Sequence, residues 1–289
     1  KGKVTHFVAG AGTGGTLCGV GKYLKEQNPD IQIIAADPEG SVYSGGDGRP
    51  YLVEGVGEDF WPDTYDPSLI DKVIAVTDAQ SFKRAREVAR KEGLLIGGSC
   101  GTAVDVALTV ASELSHEDLV VVLLPDSGRG YLSKIFNDQW MKEYGFISDE
   151  GLNLEVILES KGSDVPRLLY VRPEDSVVKA IELLQEHNLS EIVVAQGDLP
   201  LSAAEIKGTI NEVQLLDGSF EEGFLKKKCA DVMGPRLNFV GSGELISSVL
   251  LKLDQDQNII VMDKGRPTAV VSESDILSYV ESSREGKNG

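Results

Sequence analysis

A chain of 289 residues is long enough for two domains, each with its own core. Its hydrophobic content of 41% is that of an ordinary globular protein, and the net charge of −18 argues against nucleic acid or an anionic membrane as partner. No apolar run approaches the roughly 20 residues that span a bilayer, and no signal peptide is visible.

Cys18, Cys100 and Cys229 are odd in number and far apart, the usage of reduced thiols in a cytoplasm. His6, His116 and His187 are equally scattered, so no metal site is expected. Lys1-Gly2-Lys3 runs directly into a strand-like segment without an initiator Met, which reads as the middle of a larger polypeptide.

The first half alternates strands and helices. Strands are predicted over 4–8, 31–36, 72–76, 94–96 and 119–124, and helices over 17–27, 78–92, 101–113 and 131–144. Near-continuous apolar runs such as Val120-Val121-Val122-Leu123-Leu124 indicate a parallel sheet covered on both faces, an α/β fold wound with crossover helices. Asp78 is the expected N-cap of its helix, with Ser81 on the outer face.

Alternation stops after Gly145, giving a first domain over 1–147. Residues 148–162 are acidic and polar and read as a linker. Beyond it, over 163–289, lies a tandem α+β repeat, 163–218 and 225–283. A helix with Val177, Ala180, Ile181 and Leu184 precedes the strand Ile192-Val193-Val194; a helix with Leu245, Val249 and Leu253 precedes Ile259-Ile260-Val261.

Between the first strand and first helix lies Gly10-Ala11-Gly12-Thr13-Gly14-Gly15-Thr16. A glycine-rich turn into a helix N-terminus crowds backbone N–H groups around an anion, so a phosphate-bearing ligand is expected there. Gly10-x-Gly12-x-x-Gly15, with Asp37 closing the next apolar run, also fits a dinucleotide fingerprint. Two further turns, Gly97-Gly98-Ser99-Cys100-Gly101 and Pro125-Asp126-Ser127-Gly128, follow strands and should gather at the same sheet edge. Gly55-Val56-Gly57 lies in an irregular segment that could close over that edge.

In order and spacing, these residues resemble the cystathionine β-synthases of the pyridoxal-phosphate-dependent β-replacement family: Gly12-Thr13-Gly14-Gly15-Thr16, Glu54-Gly55-Val56-Gly57, Gly97-Gly98-Ser99-Cys100-Gly101 and Leu124-Pro125-Asp126-Ser127. The resemblance implies the parallel sheet of the fold-type II enzymes, and pyridoxal 5'-phosphate as cofactor. Gly12, Thr13, Gly14, Gly15 and Thr16 would hold its phosphate, and Ser99 would face the pyridine nitrogen. Gly55 and Gly57 would lie beside the amino-acid substrates. A neutral hydroxyl at Ser99 suits β-elimination of serine followed by addition of homocysteine thiolate. Cys100 reads as a small packing residue at a helix start.

The family's Schiff-base lysine and substrate-carboxylate loop lie upstream of this glycine turn, so the chain is expected to be part of the enzyme and inactive alone. Members of the family are usually homodimers or homotetramers. The tandem repeat resembles the regulatory domain pair of the same enzymes, which implies S-adenosylmethionine as allosteric ligand. Val270, Val271, Ser272 and Asp275 match its ribose-binding pattern, and Leu189 and Ile192 would contact the adenine. The first repeat has Asn211 and Gln214 at the matching positions. A cysteine synthase using O-acetylserine and sulfide, and a non-catalytic module sensing an adenosyl nucleotide or a dinucleotide, are the competing readings.

Overall fold

Runs of β-branched residues at the strands and helical spacing between them give the first unit, residues 1–140, its form; residues 141–289 form a second. The computed structural model describes residues 3–160, 168–253 and 258–285. Lys1, Gly2 and the end of the expected linker, 161–162, lie outside the described residues, as does 163–167 at the start of the expected first repeat.

The first unit runs β1 (His6–Gly10), α1 (Gly15–Gln27), β2 (Gln32–Pro38), β3 (Lys72–Val76), α2 (Asp78–Glu92), α3 (Gly98–Ala111) and β4 (Val120–Val122). The sheet is parallel, in the order β3-β2-β1-β4. Leu17 and Cys18 of α1 pack with Phe7, Ala9 and Ile33 on one face. On the other, Ala103, Val106 and Val110 of α3 meet Val8, Ile34 and Val76. The strand order reverses at β1, which places the turn after β1 at the crevice where such sheets bind ligands.

Helices α2 and α3 pack so closely that a methyl on Gly101 would sit 2.1 Å from Ser81 O. Ser81 is therefore not on an outer face: it is fully buried, and its hydroxyl lies 2.8 Å from Thr102 Oγ1. The cap of α2 is Thr77 rather than Asp78. Thr77 forms a capping box with Gln80, which frees the Asp78 carboxylate to accept from Leu52 and Val53 N–H at 2.9 Å each.

Two expected elements differ. Of 94–96, only Ile96 makes a bridge, to Ser127, while Leu94 and Leu95 are exposed. The helix expected over 131–144 is interrupted, because Asn137 Oδ1 accepts from Gln139 and Trp140 N–H and starts a new short helix, α4 (Asp138–Glu143).

The second unit contains α5 (Leu154–Ser160), β5 (Tyr170–Val171), α6 (Val177–Glu186), β6 (Glu191–Ala195), β7 (Ile206–Asn211), α7 (Glu212–Gly218) and α8 (Cys229–Val232). It continues with β8 (Phe239–Gly241), α9 (Ile246–Leu253), β9 (Asn258–Asp263), β10 (Arg266–Ser272) and α10 (Glu273–Glu285). The repeat is visible in the pairing: β5 is parallel to β6 and β6 antiparallel to β7, as β8 is parallel to β9 and β9 antiparallel to β10. Val193, Ala195, Ile260 and Met262 pack in one core between the two sheets.

The segment expected to be a linker does structural work instead. Leu154, Ile157 and Leu158 of α5 are buried with Val240, Val249 and Val271 of the second repeat, and Leu154 N–H donates to Glu244 O. Helix α8 does the same for the first repeat, with Cys229 buried against Val177 and its N–H donating to Asp175 O. Helix α5 of the expected linker thus completes the second repeat, and α8, which lies within the expected bounds 225–283 of the second repeat, completes the first.

Candidate active site

The turn after β1 reaches α1 through Gly14, which stands at φ +83°, in the left-handed region. A methyl on Gly14 would lie 2.9 Å from the Tyr65 Cα, Cβ and Cδ2 atoms. No side chain caps α1; the N–H groups of Gly15, Thr16 and Leu17 have no acceptor within the helix. These donors open onto a cavity of about 610 Å³.

That cavity gathers the predicted residues. Gly12, Thr13, Gly14, Gly15 and Thr16 line it, with Gly55 and Gly57 from the segment between β2 and β3, Ser99 from α3, and Pro125 after β4. Because α3 begins at Gly98, Ser99 sits in its first turn, 5% exposed. Two helix N-termini therefore face one pocket, whose dipoles both favour negative charge. Gly97 must lack a side chain, since a methyl there would sit 2.3 Å from Asp126 Oδ2.

The segment between β2 and β3 clamps the turn. Tyr43 Oη donates to Gly12 O at 2.7 Å, and Thr64 Oγ1 donates to Thr13 O. In a trans peptide the N–H points opposite to its C=O, so these bonds turn the Thr13 and Gly14 N–H groups away from the clamp. Gly57 N–H donates to Ala11 O at 2.7 Å. A methyl on Gly57 would strike Tyr51 Oη, whereas Gly55 is required by its φ of +84° with open space around it. Tyr43 stacks on Tyr65 at 4.1 Å, and burial pushes the Tyr43 hydroxyl above its ordinary range. Nothing in the spacing of Tyr43 and Thr64 points to their contacts with the turn, because these cross long loop separations.

Asp37, the acid of the dinucleotide fingerprint, is fully buried and does not line the cavity. Its Oδ2 accepts from Ser44 N–H at 2.9 Å, and burial raises its pKa. A ribose could not reach it. Cys100 is fully buried, with its thiol pushed up by burial and Asp126 N–H donating to Sγ, as a packing residue would be. Among the described residues no lysine lines the cavity, no acid, His or Cys cluster could hold a metal, and no helix is long and apolar enough to cross a membrane.

In the second unit Ser272 and Asp275 are adjacent: Asp275 Oδ2 accepts from Ser272 N–H at 2.8 Å and Oγ at 2.9 Å, and Ser272 Oγ receives Asp275 N–H. This is a capping box at the start of α10. Asn211 and Gln214 form the matching box at α7. Asn258 Nδ2 donates to Glu191 Oε2 at 2.8 Å across the repeats, and Ser272 pairs with Asn258 in register.

The other expected ligand contacts are not brought to that point. Ile192 is 1% exposed and packs with Val177, Ala180 and Leu184 of its own repeat, and the half-buried Leu189 packs against the same cluster. Val271 is buried in the core of the second repeat, while Val270 packs against the core between the sheets. Strand alternation sends Ile192 to its own helices and Val193 to the twin sheet.

Residues 1–126 match the family described as pyridoxal-phosphate dependent enzyme, and residues 163–201 match the CBS domain. The chain is 30% identical to a cystathionine beta-synthase of Apis mellifera, over 100% of this chain and 59% of the relative. It is 43% identical to an O-acetylserine dependent cystathionine beta-synthase of Bacillus subtilis, over 46% of this chain and 43% of that one. The crystal structure of an O-acetylserine dependent cystathionine beta-synthase from Helicobacter pylori matches at a TM-score of 0.44 and 41% identity, over 46% of this chain and 43% of that chain. The chain spans about three fifths of the length of the Apis mellifera relative. Residues 1–126 thus match the pyridoxal-phosphate dependent enzyme family, residues 163–201 match the CBS domain, and the chain that joins them is similar along its whole length to a cystathionine beta-synthase.

Proposed function

We propose that this chain is part of an enzyme that condenses serine and homocysteine to cystathionine by pyridoxal-phosphate β-replacement. The observation that carries the reading is the convergence of the Gly12–Thr16 turn, Ser99, Gly55 and Gly57 on one cavity. That cavity fits the cofactor: it offers oriented N–H donors without a competing side-chain cap, and a buried neutral hydroxyl in the same lining. Gly14, Gly15 and Thr16 would hold the phosphate through backbone N–H groups, Thr13 and Thr16 through hydroxyls, and Ser99 would meet the ring nitrogen.

When bound, pyridoxal phosphate supplies an aldehyde that takes the amino group of the first amino acid and a ring that accepts electron density from its Cα. Ser99, as a neutral partner, would leave the ring nitrogen unprotonated. The Gly55–Gly57 backbone shapes the substrate side of the cavity, and Tyr43 and Thr64 hold the phosphate turn in register. In the overall exchange the serine Cβ–O bond breaks and a Cβ–S bond forms, while the thiol proton leaves with the hydroxyl as water.

The similarity to the O-acetylserine dependent relative favours a second reading of the first substrate, with acetate as leaving group. The intact protein, supplied with pyridoxal 5'-phosphate, is expected to form cystathionine from serine or O-acetylserine plus homocysteine, detected by mass spectrometry. A strong preference for O-acetylserine plus sulfide would instead identify a cysteine synthase.

For the CBS pair we propose an adenosyl ligand, S-adenosylmethionine, at Ser272 and Asp275, supported by the polar edge formed with Asn258 and Glu191. Asp275→Ala is expected to weaken its binding by roughly 1.5–3 kcal/mol, the range for a lost charge-assisted hydrogen bond. It should also destabilise α10 by about 1 kcal/mol through the lost cap. Calorimetry on a still-folded variant separates the two effects, and unchanged affinity would refute the site.

A further inference from the structure

One side of the cavity is a rim formed by a single stretch of chain, from which Tyr51, Val53, Gly55, Val56, Gly57 and Glu58 line it. Tyr51 to Glu58 run as irregular backbone, whose position is set by the bonds that individual side chains and turns supply. The far end of the rim is tied to the phosphate turn. Gly57 N–H donates to Ala11 O at 2.7 Å, and a methyl on Gly10 would lie 2.5 Å from Val56 Cγ1. That end is part of the cofactor cradle.

The near end is tied elsewhere. Asp78 Oδ2 accepts from Leu52 N–H, and Asp78 Oδ1 from Val53 N–H, at 2.9 Å each. Two successive N–H groups on the two oxygens of one carboxylate fix the direction of the chain as well as its position. Between the two ends Glu54 pairs with Lys134, but these side chains are 50% and 45% exposed, and an exposed pair holds a loop weakly. Asp78 is therefore the stronger hold on the near end. The cap of α2 is made by Thr77 with Gln80, and the carboxylate one residue on turns to the rim.

The two ends thus answer to different partners, the far end to the phosphate turn and the near end to α2. Resting on the β-replacement reading above, we infer that Asp78 is a positioning residue for the amino-acid substrates. Through Leu52 and Val53 it sets where the Gly55–Gly57 backbone stands, so it governs substrate binding and leaves the cofactor's hold unchanged. The part of the substrate that meets the rim does not react, so its loss weakens binding in ground state and transition state alike and appears in KM rather than kcat.

The test uses the intact protein loaded with pyridoxal 5'-phosphate, with Asp78→Ala and Asp78→Asn as variants. Thr77→Ala is the control, since it breaks the cap of the same helix and leaves both bonds to the rim. Asp78→Ala should raise KM for the amino-acid substrates about tenfold, the worth of about one hydrogen bond between rim and substrate. Its kcat should stay within about twofold and its cofactor retention should be unchanged. Asp78→Asn, which keeps one acceptor oxygen, should fall between Asp78→Ala and the unsubstituted protein. Thr77→Ala should leave KM unchanged. Amide hydrogen exchange across 51–57 should follow the same order, about tenfold faster in Asp78→Ala, with exchange across 10–17 unaltered.

An unchanged KM in both Asp78 variants, or an equal rise in Thr77→Ala, overturns the role of Asp78 and leaves the reaction standing. Should Asp78→Ala not fold, Asp78→Asn alone decides by the same criteria. Failure of the unsubstituted protein to join homocysteine or sulfide to serine or O-acetylserine overturns the reaction, and with it the substrate role of Asp78. Unaltered exchange across 51–57 in the Asp78 variants overturns its hold on the rim whatever the reaction.

Discussion

Gly14→Ala is expected to empty the phosphate site. A side chain at φ +83° costs about 1–2 kcal/mol in the left-handed region. The added methyl, 2.9 Å from the backbone and ring of Tyr65, adds roughly 1–3 kcal/mol of overpacking. The chain can relieve that contact by moving the turn, which misaims the N–H groups at the start of α1. Losing about two anion-directed hydrogen bonds, at roughly 1.5 kcal/mol each, corresponds to at least about a hundredfold weaker cofactor binding. Gly19→Ala, in the same helix with open space around it, should be stabilising by about 0.8–1 kcal/mol and leave the cofactor in place. Cofactor retention on dialysis, followed by absorbance, separates the two; equal retention would mean that Gly14 does not shape the cradle.

Ser99→Asp is expected to keep the cofactor and lose the reaction. Ser99 is 5% exposed and faces the cavity from the first turn of α3. A carboxylate there would hold a proton on the ring nitrogen, changing the ring from a mild to a strong electron acceptor. It would also bring a second acid into a cavity that already contains Glu58. Turnover by the intact protein should fall at least about a hundredfold, near 3 kcal/mol in the barrier, while cofactor absorbance persists. Full activity would mean that Ser99 does not meet the ring nitrogen.

The residues that could be read from the sequence are those whose constraint is local. Gly12 to Thr16 announce a strand-to-helix anion turn by composition, and apolar runs at β1, β2 and β3 announce a parallel sheet. Ser99 could be read because its glycine turn follows the same pattern. What could not be read depends on contacts far apart in the chain. Tyr43 and Thr64 reach Gly12 and Thr13 from 31 and 51 residues away. Asp78, an expected cap, was claimed instead by Leu52 and Val53 N–H, and Thr77 supplied the cap.

The expected linker carried a legible signal. Leu154, Ile157 and Leu158 have the i, i+3, i+4 spacing of a buried helix face, hidden by the acidic residues around them. Which repeat that helix serves was not legible, since its partners lie about 90 residues on, at Val240 and Val249. The same holds for Ile192: alternation shows that Ile192 and Val193 face opposite ways, but only the fold shows which way the twin lies. Ile192, although it stands in a strand next to a ligand-like motif, belongs to the core of its own repeat.

A crystal structure of the intact protein with pyridoxal 5'-phosphate would show whether the Gly12–Thr16 turn holds the phosphate and Ser99 meets the ring. The phosphate is expected within hydrogen-bond distance of the Gly14, Gly15 and Thr16 N–H groups, with the pyridine nitrogen facing Ser99 Oγ. A cofactor bound elsewhere, or seated with its ring nitrogen away from Ser99, would contradict it.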